Sequence, residues 1–144
     1  MSLVRKIPGE LPVSFRYTPG VGNTAFFETL RDRGVLMGSC CEGCSVTYLP
    51  ARAFCERCLA GLEADTECGP AGTLESWTVG HVGIDGERLD APVTVGLVRF
   101  DRADTVVLLP IPHDVDWQIG MRVEAVLRED RAASILDLEG VRPA

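Results

Sequence analysis

Two Cys-x-x-Cys pairs ten residues apart, a short helical stripe before them and five strand-like runs after Gly72 predict a mainly β protein. The predicted order is an N-terminal helix, a rubredoxin-like zinc ribbon and a five-stranded barrel of the oligonucleotide/oligosaccharide-binding (OB) type. The units are residues 1–34 (arm and helix), 35–70 (zinc ribbon) and 71–144 (OB-fold barrel). The 144 residues suffice for one compact domain or two very small ones, and 46% hydrophobic content excludes a disordered chain.

Residues 1–22 are rich in Pro and Gly and read as an extended arm, with one short strand over 13–17. A helix is predicted over 24–33, capped by Asn23 or Thr24. Phe26 and Phe27 stand four and three residues before Leu30, which makes one apolar stripe for packing on the domain beside it. Arg31 and Arg33 suit the negative end of the helix dipole, and Gly34 supplies the stop.

The cysteine segment carries the strongest signal. Cys41-Glu42-Gly43-Cys44 and Cys55-Glu56-Arg57-Cys58 each form a knuckle that points two thiolates at one centre. A hairpin between the pairs brings them together as a tetrahedral set. Zinc suits four thiolates because it has no ligand-field preference and is redox-inert. Four sulfur ligands leave no open position, so the site is predicted to be structural. In so short a segment the metal substitutes for a hydrophobic core. Two alternatives compete. Cys40 with Cys44 is also an allowed spacing, although Cys41 gives two matching knuckles. Iron also accepts four thiolates, but aromatic shielding here is thin, with only Tyr48 and Phe54 nearby. Cys68 stands alone and reads as a small buried hydrophobe.

Beyond Gly72, strands are predicted over 73–79, 92–100, 105–109, 121–127 and 133–138. The alternation of Met121, Val123, Ala125 and Leu127 with Arg122 and Glu124 fits a half-buried strand. Residues 80–91 form a long connection that serves either as a binding element or as a solvated hairpin tip.

The charge is −7 and uneven. Residues 1–72 hold seven basic and eight acidic side chains, whereas 73–144 hold seven and thirteen. Such a barrel repels phosphate backbones, so a nucleic-acid-binding module is the second reading rather than the first. No apolar run approaches the length of a membrane span, and the N-terminus lacks a secretory apolar region, so a cytoplasmic protein is expected. No nucleophile elbow, phosphate-binding glycine loop or His-Glu-x-x-His stretch is present. His113 and Asp114 read as a surface turn rather than an acid–base pair, and an independent small enzyme is the third reading. Arg52 and His81 are the candidate ligand or partner contacts: Arg52 either neutralises the metal site or forks a phosphate, and His81 begins the long connection.

Most of the chain resembles a known family, the acyl-CoA-associated zinc-ribbon/OB-fold proteins, formerly a domain family of unknown function. Phe26-Phe27-Glu28-Thr29-Leu30 and Leu36-Met37-Gly38-Ser39-Cys40-Cys41 resemble its helix and first knuckle. Tyr48-Leu49-Pro50-Ala51-Arg52-Ala53-Phe54-Cys55 resembles the approach to its second knuckle. Gly72-Thr73-Leu74-Glu75-Ser76-Trp77-Thr78-Val79, Ala91-Pro92-Val93-Thr94-Val95-Gly96-Leu97-Val98 and Ile119-Gly120-Met121-Arg122-Val123-Glu124 resemble three of its barrel strands. The arm from Ile7-Pro8-Gly9 to Tyr17-Thr18-Pro19-Gly20 resembles that of members accompanying thiolase-like proteins. The family often has Gly after each knuckle, where Ser45 and Leu59 stand here, and a paired proline where Pro50-Ala51 stands. The resemblance implies a non-catalytic partner of a thiolase-like or hydratase-like acyl-CoA enzyme, acting as scaffold, bridge or lid over the acyl-CoA path. A homodimer is left open.

Overall fold

The computed structural model describes Gly9 and residues 13–144; Ile7 and Pro8 of the arm lie outside the described residues. Residues 13–19 form no strand. The sequence predicts one over 13–17, but a strand needs a neighbour for its backbone N–H and C=O groups, and no other segment among the described residues pairs with this one.

Helix α1 (Gly20–Arg33) begins four residues earlier than predicted. Its N-cap is Pro19, not Asn23 or Thr24, and Asn23 instead donates its side-chain amide to the Pro19 carbonyl at 3.2 Å. The proline ring presets φ near the helical value, which starts the helix without a side-chain cap. At the other end Gly34 adopts φ 65° and its N–H closes on the Leu30 carbonyl, as the sequence predicted. Phe26 and Leu30 are buried, and Phe27 packs against the same core with its ring edge-on to Phe26.

The ribbon contains a three-stranded sheet in the order β2 (Val46–Tyr48), β1 (Leu36–Cys41), β3 (Thr66–Cys68), all antiparallel. The barrel contains β4 (Ala71–Val82), β5 (Arg88–Phe100), β6 (Val107–Pro110), β7 (Arg122–Leu127) and β8 (Leu138–Pro143) in the order β6-β5-β4-β7-β8. The two edges curl together. A Cβ at Gly140 of β8 would lie 2.3 Å from the Pro110 carbonyl oxygen of β6, so only glycine permits that approach. Five strands in this order, with the outer two meeting, make an OB-type barrel.

Two barrel expectations change. The stretch 133–138 is not a strand: Ile135–Asp137 forms a short 3-10 turn and the strand follows it. The buried Asp137 carboxylate causes the shift by accepting from the backbone N–H groups of Ala132 and Ser134. Its ionised form is favoured against burial by those backbone donors, and its pKa is lowered. Residues 80–91 are mostly ribbon rather than loop, because Val79, Gly80 and Val82 pair with Thr94, Val93 and Arg88. The connection is therefore a short hairpin tip.

One apolar core joins all three parts. Phe26 and Leu30 of α1, Leu36 and Leu49 of the ribbon, and Leu74, Val98, Phe100 and Val123 of the barrel belong to it. Polar clamps reinforce the junction. The Asp104 carboxylate accepts from the Thr47 N–H at 2.8 Å, and the Asp104 N–H returns a bond to the Thr47 carbonyl at 2.9 Å. Thr105 Oγ1 accepts from the Leu49 N–H and donates to the Leu49 carbonyl, both at 2.8 Å.

Candidate metal centre

The end of β1 delivers Cys41 and the turn after it delivers Cys44. The Cys44 N–H bonds back to the Cys41 carbonyl at 3.3 Å, which folds the first knuckle. The second knuckle closes one residue further along: the Leu59 N–H reaches the Cys55 carbonyl at 3.0 Å. The backbone turns out of each knuckle at positive φ, with Ser45 at 51° and Leu59 at 60°. These are the positions where glycine is strain-free, so each knuckle forms at some backbone cost.

The four Sγ atoms of Cys41, Cys44, Cys55 and Cys58 lie within 4.8 Å of one another. Four sulfurs around one zinc at about 2.3 Å stand about 3.8 Å apart. The Cys41–Cys58 separation of 3.6 Å already matches that edge. The donor set thus fits a tetrahedral thiophilic metal. Cys40 lies outside this group, because alternation along β1 turns its side chain to the face opposite Cys41. Cys68 is buried in the main core, donates to the Thr66 carbonyl and takes no part in the group; burial raises its pKa.

A residue that the sequence offers only as thin aromatic shielding organises the centre. Tyr48, 2% exposed, lies with its hydroxyl 3.4 Å from Cys55 Sγ, and accepts from the Glu56 N–H at 3.3 Å. The Arg57 N–H also reaches Cys55 Sγ at 3.4 Å. The Tyr48 hydroxyl first, and backbone N–H groups after it, lower the Cys55 pKa to about 6. The Tyr48 hydroxyl is correspondingly pushed up to about 12, through its bond to Cys55 and then by burial. Cys44 beside Cys58 is also pushed up to about 12. Metal binding takes the four cysteines as thiolates, so loading the site releases protons. The signal for Tyr48 was its alternation two residues after Val46 in a strand entering the knuckle; only pairing with β1 fixes which face it takes.

Arg52 sits beside this centre. Its guanidinium lies 4.8 Å from the Tyr48 ring centroid and pairs with the Glu56 carboxylate, while its N–H bonds to Ser39 Oγ. It also lines a cavity of about 400 Å³ with Pro19, Val21, Asn23 and Pro50. His81 is on a different element, exposed on β4 in the barrel ribbon, and makes no side-chain hydrogen bond among the described residues. His113 donates to or accepts from Thr94 Oγ1 at 2.9 Å and has no such link to Asp114.

Residues 29–63 match the family described as ChsH2, rubredoxin-like zinc ribbon domain, and residues 65–128 match ChsH2, C-terminal OB-fold domain. The chain belongs to the ChsH2-type zinc-ribbon/OB-fold family, whose two domain models together span residues 29–128. A DUF35 domain-containing scaffold protein of Methanocaldococcus jannaschii is 27% identical over 103 residues, covering 69% of this chain and 72% of that protein. A crystal structure of a DUF35 protein of unknown function from Sulfolobus solfataricus superposes with a TM-score of 0.57 at 27% identity, covering 71% of this chain and 75% of the other. The Ltp2-ChsH2(DUF35) aldolase structure shares the fold, with a TM-score of 0.59 at 23% identity over 89% of this chain and 95% of the other. No helix among the described residues is long and apolar enough to cross a membrane.

Proposed function

We propose that this chain is a non-catalytic accessory scaffold that holds a thiolase-like or hydratase-like acyl-CoA enzyme and helps bind or channel its acyl-CoA. Cys41, Cys44, Cys55 and Cys58 hold a structural zinc in this proposal. The observation that carries it is the relative described as a scaffold protein, matched over 69% of the chain. The chemistry agrees. Four converging thiols fill a tetrahedral shell and leave no position for a substrate. The description of the Ltp2-ChsH2(DUF35) aldolase names a second component beside a DUF35 chain, which supports an enzyme as the kind of partner. Arg52 is already committed to Glu56 and Tyr48, which favours its neutralising the thiolate centre over its forking a phosphate.

Affinity purification of the tagged chain from its native host tests this. The expected result is near-stoichiometric recovery of an acyl-CoA enzyme, identified by mass spectrometry, with one zinc per chain. Recovery of the chain alone, together with tight binding of single-stranded DNA at moderate salt, overturns the scaffold in favour of a nucleic-acid module. The acidic barrel argues against that second outcome.

A further inference from the structure

We infer that the enzyme partner docks on the face built by the arm, the first turn of α1 and the second cysteine knuckle, and not on the barrel. This rests on the scaffold function proposed above and assigns its interface.

The arm has the alternation of a strand, yet residues 13–19 pair with no other segment among the described residues. Val13, Phe15 and Tyr17 alternate with Ser14, Arg16 and Thr18, and their exposures are 55%, 67% and 85%. Pro19 closes this stretch and favours extended backbone at Thr18 before it, which lowers the entropy lost when a partner orders it. An extended segment with one apolar side is what a groove or a free sheet edge on another protein accepts. The apolar surface continues past the arm. Val21 in the first turn of α1 and Phe54 in the knuckle approach are both exposed, and the cavity between α1 and the ribbon is lined by Val21 and Ala53.

Leu59 sharpens the assignment. It holds φ 60°, where glycine fits without strain, yet its side chain is 77% exposed. The fold gains almost no burial from this leucine and bears its backbone strain. A strained apolar residue that does nothing for its own chain is explained by a contact outside it.

Charge selects the same face. Residues 1–62 hold seven basic and five acidic side chains, and four thiolates on one zinc add a charge of −2, so this part is near neutral, whereas residues 63–144 hold seven basic and sixteen acidic side chains. Arg16 on the arm and Arg57 in the knuckle are exposed and carry no ion pair among the described residues. A partner that rims its groove with carboxylates meets complementary charge here and repulsion at the barrel.

The test uses the purified complex of the full chain with the enzyme recovered above, titrated by calorimetry. Phe15→Ser with Tyr17→Ser is expected to weaken binding about 30-fold or more. Leu59→Gly is expected to weaken binding about 10-fold while raising the thermal midpoint of the free chain, opposite signs that misfolding does not produce. Leu108→Ser on the exposed barrel strand is expected to leave affinity unchanged. Undiminished binding by the arm and Leu59 variants, with loss in Leu108→Ser, overturns the interface while leaving the scaffold function intact. Failure of the unaltered chain to bind any acyl-CoA enzyme overturns both. A free chain that is a dimer and becomes monomeric in the Phe15→Ser/Tyr17→Ser variant overturns the interface in favour of a second copy.

Discussion

The ribbon and the barrel reach order by opposite routes. Around the cysteines, the buried set is Cys41, Val46, Tyr48 and Cys55, so half of it consists of cysteines whose sulfurs face one another. The barrel buries Leu74, Val98, Phe100, Leu109, Val123 and Val141. Apolar burial drives the second and is nearly absent from the first. A tip with so little apolar content does not hold four thiols together by packing; a metal does, and its binding energy is then folding energy. The contrast also explains where sequence departs from ideal backbone. Ser45 and Leu59 at positive φ are tolerable where a metal over-determines the turn.

That contrast can be broken at either end. The largest effect is expected from metal removal by a chelator or by Cys55→Ser: structural zinc contributes on the order of 10 kcal/mol. Amide exchange is expected to accelerate over residues 41–62 while β4, β5 and β7 stay protected, and Cys68→Ser is expected to retain full metal content. Equal loss of metal in both variants would refute the ligand assignment. Phe100→Ala attacks the other route. Phe100 is 1% exposed and in the core that all three parts share, so about 3–5 kcal/mol of stability is expected to disappear in chemical denaturation, with metal stoichiometry unchanged in the residual folded protein. Tyr48→Phe is subtler. Losing the hydroxyl beside Cys55 is expected to weaken metal affinity about 10–100-fold in competition with a chromogenic chelator, without unfolding the barrel.

The smallest effect concerns acid and belongs to the barrel alone. Arg122 donates to both carboxylate oxygens of Asp101, at 2.8 and 2.6 Å, and holds its pKa below the usual carboxylate value. A depressed folded pKa contributes stability that is present above the unfolded value, about 3.9, and lost as pH falls through the folded one. The pair is half exposed, so the contribution is small. Comparing thermal midpoints, wild type is expected to exceed Asp101→Asn at neutral pH, and the gap is expected to close in strong acid. A gap that persists at pH 2 would assign the effect to packing.

Much of this was legible in the sequence, and the parts that were not share a cause. The two knuckles are local: spacing offers Cys41 with Cys44 and Cys55 with Cys58, but it also allows Cys40 with Cys44, and only the position of Cys40 on strand β1 separates it from the cluster. Gly34 ends its helix through bonds to its own neighbours. The misses depend on distant partners. The arm reads as a strand because its alternation is real, but pairing is not a property of the arm. The sequence predicts the final strand over 133–138; the Asp137 carboxylate, folded back on Ala132 and Ser134, turns that stretch into a cap. Residues 80–91 look like a loop until Val82 is paired with Arg88 across the hairpin. Tyr48 gained its role only when β2 was set against β1.

The polar clamp between Thr47, Leu49, Asp104 and Thr105 has a mechanical consequence. Together with the common core it removes the joint that a two-lobed chain would otherwise have. A push on the knuckle is then delivered to the barrel as displacement and rotation of a stiff body, with little absorbed by bending between them. Two molecules attached at opposite ends of such a bracket are held at a set spacing and angle, and the tolerance of that spacing is governed by a handful of hydrogen bonds no longer than 2.9 Å.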